Sequence, residues 1–68
     1  MNLSQLMKKG YIQIDEIDEK IRKECSIHGL LEKTRLYATG ICANGYHIVL
    51  CDDRILALPQ WICRGIRI

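Results

Sequence analysis

Asn44-Gly45 constrains this chain more than any other pair of residues, because it stands between two apolar runs, Arg35 to Ala43 and Tyr46 to Cys51. A type I′ turn needs positive φ at both central residues, and its twist matches that of the strands it joins, so Asn-Gly marks a two-residue hairpin. Ala43 then faces Tyr46, and the register is fixed outward from that pair. Asp52-Asp53 is a second, weaker turn without glycine. It makes Arg54 to Leu58 the third strand of an antiparallel meander, ended by Pro59.

With the register set, the two faces of the sheet can be read off. One carries Tyr37, Thr39, Ile41, Ala43, Tyr46, Ile48 and Leu50, joined across a two-residue second turn by Ile55 and Ala57. The other carries Leu36, Ala38, Gly40, Cys42, His47, Val49 and Cys51, joined by Arg54, Leu56 and Leu58. Both faces are largely apolar, whereas an antiparallel sheet with one face in water alternates apolar with polar residues. Two covers are needed.

One cover is a helix expected from Asp15 to His28, since Ile14, Ile17, Ile21, Cys25 and His28 recur at spacings of three and four. Asp15 serves as N-cap, acids lead and bases follow in the order the helix dipole favours, and Gly29 supplies the stop. Glu16 with Lys20, Asp18 with Arg22 and Glu19 with Lys23 form acid-before-base pairs four residues apart, each worth about 0.2–0.5 kcal/mol. Other helical material is short. Ser4 to Lys9 suits a turn or two with Ser4 as N-cap, and Tyr11 to Ile14 is a brief extended piece or a lead-in. The tail after Pro59 reads as a short helix, with a fourth strand over Trp61 to Ile68 as the alternative.

The expected fold is therefore α+β: an amphipathic helix on a three- or four-stranded antiparallel meander with short terminal helices, in a single domain spanning residues 1–68. Sixty-eight residues lie near the lower limit for a single unstapled core. The second sheet face is buried by the terminal segments, by closure into a small barrel, or by another molecule. Because exposed apolar patches beyond a few hundred Å² mark contacts, the last option makes Tyr37, Ile41, Tyr46, Ile48 and Trp61 the candidate protein-contact residues. Aromatic anchors among them would dominate such an interface.

Other chemistries have weaker support. Cys25 and His28 are ligand types three apart, with Cys42, Cys51 and Cys63 in reserve, but the spacing lacks the two tight pairs of a structural zinc site. Cys42 faces His47 across the hairpin as a thiol and a base, without a third orienting group, so no catalytic residue is assigned and no enzyme activity is expected. No metal or other cofactor is expected either. The four cysteines read as reduced core residues. A formal charge of +2 implies neither nucleic acid nor membrane by itself. Lys33, Arg35, Arg54, Arg64 and Arg67, with aromatic residues nearby, nevertheless make a nucleic-acid-binding module the alternative reading.

No apolar run reaches the length of a membrane span and the start lacks the features of a secretory signal, so a cytoplasmic location is expected. The leading expectation is a small regulatory protein of the inhibitor or accessory type, such as phages and mobile elements encode. It would act by protein contact and self-associate as a homodimer, with no small-molecule substrate evident.

Overall fold

The computed structural model describes residues 1–68. The hairpin forms as Asn-Gly requires: β3 (Arg35–Ala43) and β4 (Tyr46–Cys51) meet with Ala43 opposite Tyr46. Asn44 and Gly45 have φ of 54° and 79°, both positive as a type I′ turn demands. The second turn also has two residues, with Cys51 opposite Arg54 and Asp52 at φ 56°, and leads into β5 (Arg54–Pro59). A fourth strand is present, but it comes from the N-terminal side. β1 (Gly10–Gln13) pairs antiparallel with the start of β3, giving the order β1-β3-β4-β5.

One irregularity changes the register expected from the turn. Cys42 lies opposite His47 and Ala38 opposite Val49, so β3 spends two more residues than β4 between those pairs. Thr39, Gly40 and Ile41 form the bulge, in which the Thr39 hydroxyl donates to the Ile48 carbonyl (2.7 Å) and accepts from the Ile41 N–H (3.1 Å). A one-residue slip would have exchanged the faces of the strand; two residues preserve them.

The helix differs most from expectation. Asp15 to Asp18 is extended, with β2 (Glu16–Ile17) paired to β6 (Ile66–Arg67), and the chain coils only from a 3-10 turn at Glu19–Ile21 into α1 (Arg22–Ile27). Long-range bonds account for the change. The Asp15 N–H donates to the Arg67 carbonyl and the Asp18 N–H to the Gly65 carbonyl, both at 2.8 Å. Asp18, not Asp15, is the N-cap and accepts from the Lys20 N–H at 2.9 Å. Ile14, Ile17, Ile21 and Cys25 are still all buried, the first two from extended backbone. Charge pairing is redistributed as well. Arg22 joins Glu32 at 3.2 Å, Arg67 joins Glu16 at 3.3 Å and Lys33 joins Asp15 at 3.9 Å, in place of the pairs expected four residues apart.

Both termini contribute to the same layer. A 3-10 turn at Leu3–Gln5 is capped by Asn2, not Ser4, through a reciprocal box in which the Gln5 side chain accepts from the Asn2 N–H at 2.9 Å. Pro59 precedes α2 (Gln60–Cys63), and β6 follows, so the tail contains both a short helix and a short strand. Leu3, Ile14, Ile17, Ile21, Cys25, Leu30, Ile62, Cys63 and Ile66 form one cluster with Leu36, Val49, Cys51 and Leu58 of the sheet. Every covering element lies against the same side.

A candidate contact face on the uncovered side of the sheet

The opposite side of the sheet follows from strand parity. Tyr11, Tyr37, Leu50 and Ile55 are successive cross-strand partners and form a row across all four strands. Ile48 beside Ala57, and Ala43 beside Tyr46, continue the face toward the Asn44-Gly45 turn. None of these residues belongs to the core cluster or packs against it. Tyr11 is 74% exposed and Ile55 73%, while Tyr37, Ile48 and Leu50 are half-buried. The Tyr11 and Tyr37 rings meet edge to face, with centroids 5.0 Å apart and planes at 74°, a favoured aromatic geometry.

At the end of the face remote from that turn, Arg35 and Asp52 flank an open concavity of about 650 Å³ floored by Tyr11, Tyr37 and Leu50. Neither charge takes part in an ion pair within the chain. Opposite charges thus stand at the border of an apolar row.

Of the contact residues expected from sequence, Tyr37 and Ile48 lie on this face, and Tyr46, 45% exposed, lies at its hairpin end. Ile41 sits in the bulge at 56% exposure, and Trp61 stands apart on α2 at 55%. The sequence reading did not select Tyr11, Leu50 or Ile55. The alternation Tyr11-Ile12-Gln13, with Ile12 toward the core, was the signal for Tyr11. The other two were already on the right face by parity.

The basic residues do not form one patch. Lys33 and Arg67 are paired to acids, and Arg35 belongs to the uncovered sheet face. The Arg54 guanidinium lies over Gly29, close enough that a Cβ there would come within 2.6 Å of it. Arg64 and Arg67 line a polar cleft of about 270 Å³ together with Glu16 and Asp18, so its charges are mixed.

Cys25, Cys51 and Cys63 are buried free thiols and Cys42 is exposed. Burial pushes the Cys63 thiol up to about 12, with Cys42 and Cys25 adding to the effect, and burial also raises Cys25. Such thiols stay protonated and are poor nucleophiles. His28 is exposed at the end of α1 while Cys25 points into the core, so that pair does not converge. No three His, Cys, Asp or Glu side chains gather in a metal-binding arrangement. His47, opposite Cys42, is 8% exposed with its Nε2 unpartnered. No helix is long and apolar enough to cross a membrane.

Comparison with family models, curated protein sequences and solved structures returns no match to this chain. The fold and surface define its class: a small two-layer α+β protein whose antiparallel sheet is covered on one side.

Proposed function

We propose that this chain is a small binding protein of the regulatory, inhibitor or accessory type, working by protein contact and as a homodimer. The observation that supports this reading is the uncovered apolar face. Tyr11, Tyr46 and Ile55 alone expose on the order of 400 Å², taking about 150–250 Å² for a large apolar side chain. With Tyr37, Ile48 and Leu50, the face reaches the size at which an exposed apolar patch marks a contact site. Self-association buries that area without further folding, and the protruding Trp61 is left for a second macromolecule.

Mass by light scattering across a dilution series, at low and molar salt, tests the reading. Twice the chain mass, persisting in high salt because burial of apolar area is not screened, is the expected result. A monomer at every concentration removes the homodimer. Salt-sensitive binding of random DNA or RNA by a monomeric chain would instead favour the nucleic-acid module.

A further inference from the structure

We infer that the second copy covers the face by stacking sheet on sheet about a two-fold axis that runs along the strands, between β3 and β4. This inference rests on the self-association reading and specifies its geometry.

The row Tyr11, Tyr37, Leu50 and Ile55 is asymmetric, with both tyrosines on one half of the sheet and both aliphatic residues on the other. A dyad parallel to the strands reverses the row, so Tyr37 of one copy lies over Leu50 of the other and Tyr11 over Ile55. Rings meet aliphatic side chains at each step, and the strands of the two sheets stay aligned, as face-to-face sheets prefer. Leu50 and Tyr37 are directly paired, and two residues further toward the end of the sheet the same count brings Arg35 opposite Asp52. These are the two unpaired charges bordering the row. The same dyad sets Arg35 of each copy over Asp52 of the other, closing two equivalent ion pairs.

Other arrangements lose this match. A dyad across the strands would lay the Arg35 and Asp52 end over the apolar Ala43 and Tyr46 end, desolvating charges against apolar side chains. Joining two β5 edges would add only a strip of contact and leave the apolar face open to water.

The test is a charge swap read by sedimentation equilibrium, with folding checked by circular dichroism. Arg35→Glu and Asp52→Lys each set like charges against the partner and should weaken the dimer about tenfold or more. The double variant Arg35→Glu/Asp52→Lys should return to within a few-fold of the original. Ile55→Asp, which sets a charge against Tyr11 of the partner subunit at the end of the row, should give a monomer. Arg35 and Asp52 are exposed, so reversal does not touch the core. If Asp52→Lys disturbs its turn, Arg35→Gln and Asp52→Asn carry the same test through non-additive losses. A dimer in which single reversals are neutral, or the double variant is weakened additively, overturns this axis while self-association stands. A dimer indifferent to Ile55→Asp overturns the use of this face altogether. A wild-type chain that never dimerises overturns both proposals.

Discussion

At Gly65 a methyl group in place of the Cα hydrogen would put its carbon 2.5 Å from Cδ1 of the buried Ile21 and 3.3 Å from Cβ of Asp18. The Gly65 carbonyl also accepts from the Asp18 N–H, so the two segments cannot part without losing that bond. Gly65→Ala should therefore destabilise by about 1–3 kcal/mol, read as a lower urea midpoint. Titration acts at two other residues. The Arg22 guanidinium, with help from the Ile17 N–H, holds the Glu32 carboxyl below its ordinary value. A lowered carboxylate contributes stability above the unfolded value and loses it as pH falls through the folded one, so Glu32→Gln should cost most near neutrality and nothing in strong acid. Both side chains are substantially exposed, which keeps the effect small. Cys63 acts with the opposite sign. Its thiol is raised to about 12 by burial, so its contribution is complete below the unfolded thiol value and is lost as pH climbs toward 12. Cys63→Val should shift alkaline unfolding, followed by circular dichroism, to higher pH. Alkylation of the native protein should modify Cys42 first and leave Cys25, Cys51 and Cys63 protected until denaturant is added.

The elements show which parts of the fold were written locally. Asn44-Gly45 sets its turn through its own backbone preferences, and those are visible in sequence whatever the rest of the chain does. The two-residue turn at Asp52 was legible by the same kind of count. The helix start was not, because Asp15 to Asp18 takes its hydrogen bonds from Arg67 and Gly65, some fifty residues away, and no local pattern announces such partners. The spacing of Ile14, Ile17, Ile21, Cys25 and His28 named four buried residues and one, His28, that is exposed, and it misnamed the backbone of the first two, since an extended piece running into a helix can point the same side chains inward. The bulge was equally hidden. Thr39 is the residue that stabilises it, and Thr39→Val, similar in shape but without the hydroxyl, should cost about 1 kcal/mol for the lost bonds to Ile48 and Ile41, measured by chemical denaturation.

In the molecule as a whole, the surplus of apolar sheet face was readable from alternation alone, and the faces survived the bulge because it inserts an even number of residues. What sequence left open was whether the terminal segments divide between the two faces. They do not, because the pairing of β2 with β6 and the packing of α2 beside the Leu3 turn commit both ends to one side. The contact residues expected from sequence therefore include Trp61, which α2 carries and the sheet does not, while Ile55 of β5 was not among them. Two residues of β5, Leu58 and Ile55, make the division measurable. Leu58→Ala should lose about 2–5 kcal/mol of stability by opening a cavity in the core, whereas Ile55→Ala should leave the thermal midpoint at high dilution nearly unchanged. Inheritance meets the same division. Along the regular stretches of β4 and β5, alternate codons specify residues of the core, while most of those between specify residues the core does not need. A surface of that kind can change its chemistry, one alternate position after another, without the chain ever passing through an unfolded ancestor.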